Sequence, residues 1–199
     1  MDKLSQNSRE TPLQELRGTG LTLPNALTVL RIILVPFFIG ALSYGYYGYA
    51  VIFFAVAGLT DLLDGLLARI KHQKTKLGAL LDPVADKALL VSSFITLTML
   101  EWIPKWLTIV VISRDAILII GNLSIYILTG DLKVSPSILG KLTTNSQVLL
   151  IAIILVTINL GFQPNESGAL YLPVFLWLSG ILTLVSGLHY IYVGLKIVS

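Results

Sequence analysis

The stretch DLLDGLLARIKHQKTKLGALLDPVAD, residues 61–86, decides the reading of this chain. It carries four aspartates, Asp61, Asp64, Asp82 and Asp86, between apolar runs long enough to span a bilayer. Carboxylates are costly near hydrocarbon, so four together ask for a functional explanation. On a helix, residues three or four apart share a face. Asp61 and Asp64 are therefore expected to point the same way, and so are Asp82 and Asp86. Two such pairs facing each other make an all-oxygen cage, which hard divalent cations such as Mg2+ or Mn2+ select. Solvated carboxylates paired with Lys and Arg would account for one or two aspartates. They account poorly for four at these spacings with a glycine in each half.

The rest of the chain sets this motif in a membrane. Of 199 residues, 55% are hydrophobic, and the mean hydropathy is +0.83. Soluble domains run at about 45–50% apolar and about 25% charged, whereas only 13% are charged here. There is no cysteine, which excludes disulfide and thiolate-metal chemistry. Residues 1–20 are polar and include Asp2, Glu10 and Glu15, unlike a secretory signal or an acidic-poor transit peptide. The chain divides into this N-terminal segment, 1–20, and a membrane domain, 21–199. Within the segment, Thr11-Pro12-Leu13-Gln14 has the pattern of a helix start. A short interfacial helix and an unstructured tail both remain open there.

A span needs about 20 mostly apolar residues. Six candidates occur, at roughly 24–43, 48–67, 84–102, 106–128, 142–161 and 171–195. The fold expected is an all-α integral membrane protein of six transmembrane helices. Tyr44, Tyr46, Tyr47 and Tyr49 with Gly45 and Gly48 read as an interfacial turn, and Trp102 and Trp106 around Pro104 as another. Six spans put both termini on one side. Of the 14 Lys and Arg residues, twelve fall on that side, Lys105 alone falls on the other, and Arg114 lies within a span. The positive-inside rule then makes both termini and the aspartate motif cytoplasmic, or matrix-facing in an organelle.

Within the motif, Gly65 and Ala68 leave room for a close approach, and Arg69 is placed to meet a phosphate. A basic loop follows, Lys71-His72-Gln73-Lys74-Thr75-Lys76, and Gly78 precedes the second pair. Asp82-Pro83 reads as an N-cap with proline at the first helical position, which would begin the third span there.

The pattern Asp61-x2-Asp64-Gly65-x2-Ala68-Arg69-x8-Gly78-x3-Asp82-x3-Asp86 resembles the signature of the CDP-alcohol phosphatidyltransferases. All eight of its fixed residues are present over 26 positions. The resemblance implies a six-helix membrane enzyme, a homodimer open to the cytoplasmic leaflet, in a bacterial inner membrane or an organelle inner membrane. It implies a pair of Mg2+ or Mn2+ ions, a CDP-diacylglycerol donor, an alcohol acceptor and release of CMP, with no nucleic-acid partner. By the same resemblance Asp61, Asp64, Asp82 and Asp86 hold the metals, and Asp86 is also the general base. Asp64, Gly65, Ala68, Arg69 and Gly78 would hold the cytidine diphosphate. Neither histidine lies at a fixed position of the signature and there is no cysteine, so direct transfer without a covalent enzyme intermediate is expected.

Other intramembrane polar residues bear on the acceptor. Asn25, Thr28 and Arg31 recur at intervals of three in the first span. Arg31 either snorkels to the headgroups or belongs to the site. Arg114, next to Asp115 in an apolar helix, must be paired; adjacent side chains are expected to diverge, each to its own partner. Arg114 and Lys141 match positions that form a basic pocket for an acceptor phosphate in the resembled family. Phosphatidylglycerophosphate synthases there usually show Arg-Glu and Gly-Lys-x-Lys-Thr. This chain has Arg114-Asp115, and Thr143 in place of the second lysine, closer to cardiolipin synthases. Glycerol 3-phosphate is the first acceptor expected and phosphatidylglycerol the alternative. A membrane prenyltransferase would carry two separate aspartate-rich motifs. A cation transporter would place its carboxylates near the bilayer midplane.

Overall fold

The computed structural model describes the backbone of residues 23–71, 76–129, 138–163 and 171–198. Within these helices, the side chains of 23–25, 62–71, 76–86, 122–129 and 194–198 lie outside the described residues. The possible interfacial helix at 11–20 lies outside them as well. Six helices follow in order: α1 (Leu23–Ser43), α2 (Tyr47–Lys71), α3 (Lys76–Met99), α4 (Lys105–Thr129), α5 (Ile138–Asn159) and α6 (Leu172–Val198). Each overlaps one of the six apolar runs.

Three helices end in the same way. In a Schellman ending, the second residue past the helix donates its N–H to a carbonyl five residues back, and the residue before it takes a left-handed conformation. Tyr46 N donates to Ala41 O at 2.8 Å around Gly45, with φ 80°. Phe162 N donates to Thr157 O at 3.3 Å around Gly161, with φ 86°. Trp102 N donates to Leu97 O at 2.9 Å around Glu101, whose φ is 64°. Glycine suits the first two positions; glutamate at the third carries the steric cost of a Cβ.

Packing follows side-chain size. α1 lies against α2 and α3, α2 reaches α5, and α6 packs on α4 and α5. The core is apolar where α1, α2, α3 and α5 meet, with Phe38, Leu42, Phe94, Leu97, Leu150 and Ile154 fully buried. Ala50 and Ala57 bring α2 close, and Phe38 meets Phe54 at 5.9 Å between ring centroids. Trp102 is buried in this core rather than set in an aromatic belt.

α6 is patterned the other way round. Beyond Leu172, which joins the core, its buried residues are small or polar: Ser179, Gly180, Thr183, Ser186 and Gly187. Its outward residues are large and apolar, among them Val174, Trp177, Ile181, Val185 and Leu188. Small residues at interfaces and apolar ones outside are what helix packing in lipid requires, because lipid tails are as apolar as leucine. Helices α1, α5 and α6 contain stretches long and apolar enough to cross a membrane, Ala26–Ser43, Ile138–Asn159 and Leu172–Val193. Shorter apolar stretches are Tyr47–Asp61 of α2 and Lys87–Met99 of α3.

Several hydroxyls of α3 satisfy themselves, whereas the buried Ser179 Oγ of α6 has no hydrogen bond among the described residues. On α3, Ser93 bonds Leu89 O at 2.7 Å, Thr96 bonds Ser92 O at 2.8 Å, and Thr98 bonds Phe94 O at 2.7 Å. Such back-bonding removes the cost of placing a hydroxyl in an apolar setting.

One local expectation fails. Asp82-Pro83 does not start a helix, because α3 begins six residues earlier, at Lys76. The cap signature is local and does not register that the six residues before it, 76–81, are helical too. Pro83 is then interior to α3, where its missing N–H leaves one backbone carbonyl of the preceding turn without its usual partner.

Candidate active site

The aspartate motif occupies two helix ends. Asp61, Asp64, Gly65, Ala68 and Arg69 lie in the last three turns of α2, and Gly78, Asp82 and Asp86 in the first three turns of α3. Of these, only Asp61 has a described side chain. Asn25 sits in the first turn of α1, also with its side chain outside the described residues.

Arg31 answers the question left open by the sequence. Its side chain is 1% exposed and does not snorkel: Nη2 meets Asp61 Oδ1 at 3.2 Å, while the Asp61 side chain is 47% exposed. A guanidinium presents donors in a rigid fork, so a buried Arg31 from α1 fixes one edge of the first aspartate and leaves that carboxylate accessible. Thr28, one turn earlier, is buried on the same helix.

Arg114 and Asp115 correct an expectation. They do not diverge: Arg114 Nη1 meets Asp115 Oδ1 at 2.8 Å. The same oxygen receives Lys87 Nζ from α3 at 2.7 Å. Arg114 Nη2 donates to Ser186 Oγ of α6 at 3.2 Å, and its guanidinium carbon lies 5.9 Å from the Tyr190 ring centroid. A Cβ at Gly187 would stand 3.6 Å from Arg114 Cγ, ordinary contact, so α6 runs close along the arginine stem. A buried cation needs an opposite charge close by, and here the carboxylate on the next residue supplies it. Among the described residues, Arg114 Nε and Asp115 Oδ2 are buried without a hydrogen bond.

Lys141 is exposed in the first turn of α5, preceded by buried Gly140. Thr143 is fully buried and donates to Leu139 O at 2.8 Å and Leu182 O at 3.1 Å. Leu182 and Ser186 are one turn apart on α6, so α6 carries both the start of α5 and Arg114 of α4. One turn on from Thr143, Gln147 Nε2 donates to Thr183 Oγ1 at 3.1 Å.

Sequence reasoning missed Lys87, Ser186 and Tyr190 as partners of the buried arginine. Lys87 enters there only as a charge for topology, although a lysine at the head of the apolar stretch Lys87–Met99 is itself a signal. Ser186 and Tyr190 lie four apart on α6, on the face marked by Ser179 and Thr183.

Among the described residues no group of three His, Cys, Asp or Glu residues is placed to hold a metal ion, since three of the four motif side chains lie outside them. The donor chemistry nevertheless fits a hard cation. Every candidate ligand is a carboxylate, and the described one, Asp61, remains half exposed beside its arginine.

Helix ends bearing carboxylates, one of them braced by Arg31 from a neighbouring helix, sit here in an all-helical arrangement consistent with a membrane protein. The family model for CDP-alcohol phosphatidyltransferase matches residues 21–185. The chain belongs to the CDP-alcohol phosphatidyltransferase family. It is 34% identical to a probable phosphatidylglycerophosphate synthase of Mycobacterium tuberculosis H37Rv over 87% of this chain and 82% of that protein. It is 33% identical to the CDP-diacylglycerol–glycerol-3-phosphate 3-phosphatidyltransferase of Bacillus subtilis 168, over 84% and 92% of the two chains. It is also 33% identical to a CMP-forming cardiolipin synthase of Rattus norvegicus, over 89% of this chain and 63% of that protein. The family transfers a phosphatidyl-type group from a CDP-linked donor to an alcohol within a membrane and is generally dependent on divalent metals.

Proposed function

We propose that the protein transfers a phosphatidyl group from CDP-diacylglycerol to glycerol 3-phosphate, releasing CMP. The observation that carries this reading is Arg31, buried in α1 and paired with the first motif aspartate, because it makes the carboxylate motif part of a braced site. The match along most of both chains to the Bacillus subtilis transferase supports the acceptor.

In this reading Asp61, Asp64, Asp82 and Asp86 hold two Mg2+ or Mn2+ ions. Bound there, such ions neutralise the pyrophosphate and the charge that builds on the departing CMP. The backbone at Gly65, Ala68 and Gly78, with Asp64 and Arg69, holds the cytidine diphosphate. Asp86 takes the proton of the acceptor hydroxyl as that oxygen forms its bond to the phosphatidyl phosphorus. The bond from phosphorus to the CMP oxygen breaks in the same displacement, so no covalent enzyme intermediate forms. Arg114 and Lys141, with Asn25 and Arg31 on α1, receive the acceptor's phosphate. Six membrane spans, cytoplasmic or matrix-facing termini and a homodimer complete the proposal.

A second reading has its own observation. Thr143 stands where a second lysine is usual in phosphatidylglycerophosphate synthases, and it is buried and bonded to α6. With one lysine fewer, the pocket suits the singly charged phosphodiester of phosphatidylglycerol, which would make the product cardiolipin. CMP release by purified protein with CDP-diacylglycerol and Mg2+ or Mn2+ separates the two, with each acceptor offered alone. Release with glycerol 3-phosphate and not with phosphatidylglycerol is expected. The reverse makes the second reading correct, and no release with any alcohol overturns both.

A further inference from the structure

We propose that Asp115 is a positioning residue for this transfer: one carboxylate oxygen holds both Lys87 and Arg114, and so keeps α3 in register with α4. The proposal rests on the reading of Asp86 as base and Arg114 as acceptor arginine. Lys87 follows Asp86 directly in α3. Its contact with Asp115 Oδ1, at 2.7 Å, fixes the rotation of α3 about its own axis in the turn that carries positions 82 and 86. Arg114 reaches the same Oδ1 at 2.8 Å and is anchored on its other terminal nitrogen by Ser186. The carboxylate therefore joins a residue beside the donor motif to a residue of the acceptor pocket.

Neutralising Arg114 is too small a job for this geometry. Arg114 and Asp115 already pair within α4, and that alone cancels the buried charge. The second cation comes from another helix and is 31% exposed, so burial does not force it there. Both donors crowd one oxygen while Oδ2 is buried with no hydrogen bond among the described residues. A carboxylate can accept on both oxygens, yet here both donors converge on Oδ1. Three charged atoms meeting at one point instead fix direction, which is what holding reacting groups in a productive geometry demands.

The test is steady-state kinetics of the full-length protein, using CDP-diacylglycerol and whichever of glycerol 3-phosphate or phosphatidylglycerol supports CMP release. Thermal unfolding is measured alongside on every variant. Asp115→Asn should lower kcat by about 10- to 100-fold, the usual loss when an outer partner of an active group is removed. It should also raise KM for the acceptor, whose arginine loses its partner. Asp115→Glu should recover most of the kcat. Adding Lys87→Met to Asp115→Asn should cost little more, because both act through one contact. If Asp115→Asn does not fold, Lys87→Met alone carries the test, with a fall in kcat expected. Wild-type kcat and KM in Asp115→Asn, or in Lys87→Met, overturn the proposal. So does a loss that tracks only the amount of folded protein, or independent losses that multiply in the double variant. Asp86→Asn is the control: if it is inactive, those outcomes count against Asp115 alone, whereas an active Asp86→Asn removes the underlying reading and this proposal with it.

Discussion

Arg31 illustrates how single residues behave here. A buried arginine was legible as an intramembrane cation, but its partner was not, because a partner thirty positions on is set by helix packing rather than by local pattern. Replacing it with methionine keeps the volume and removes the charge. Asp61 is half exposed, so it is not stranded in a dry interior, and the cost in stability should be modest, about 1 kcal/mol. Turnover should fall at least about tenfold, since the first motif aspartate loses its brace. CMP release and thermal unfolding of Arg31→Met, measured on one preparation, check this; undiminished turnover would remove Arg31 from the site. At Arg114 the sequence misled, since adjacent residues on an ideal helix do point apart. Long side chains bend back, and a buried cation needs an opposite charge close by.

At the scale of elements, hydropathy located each of the six described helices but not all their ends. Apolar runs at 48–67 and 171–195 match helices closely, whereas α3 and α5 begin at Lys76 and Ile138, ahead of the runs at 84 and 142. The runs begin only past Asp82-Pro83 and Lys141, where charge or proline interrupts the apolar pattern, while the helical backbone continues through them. Glu101 sits where two equivalent helix ends use glycine. An L-residue in that conformation costs about 1–2 kcal/mol, and glycine gives back about 0.5–1 kcal/mol through chain entropy. Glu101→Gly should therefore raise stability by up to about 1 kcal/mol in thermal unfolding; an unchanged or lower midpoint would mean that the glutamate is not strained. Gly180 tests the α4–α6 contact. A Cβ there would stand 2.7 Å from Trp106 Cη2, and Trp106 stacks on Trp177 at 5.2 Å. Gly180→Ala should displace the ring and cost about 1–3 kcal/mol, read as a lower unfolding midpoint with altered tryptophan emission. Unaltered emission would mean that the helices separate without moving the ring.

For the whole molecule, the outward faces are apolar, and the arginines at 31 and 114 turn inward. The proposed orientation predicts that a reporter fused after Ser199 is active only in the cytoplasm; a periplasmic signal would reverse the topology. Metal chelation should abolish CMP release and added Mg2+ or Mn2+ should restore it; release that persists in chelator would detach the aspartates from a metal role. The family was legible because its motif is contiguous and rich in carboxylates. The Lys87–Asp115–Arg114 junction was not, because it unites two helices through residues that are individually ordinary. The self-bonded hydroxyls of α3 have a consequence for biosynthesis. An apolar helix whose Ser and Thr groups are satisfied by its own carbonyls needs no companion to cover those hydroxyls. The buried arginines follow the same economy of timing: the counter-ion of Arg31 arrives with the next helix and that of Arg114 with the next residue. The nascent chain thus never has to shelter either charge for long before its neutralising partner is synthesised.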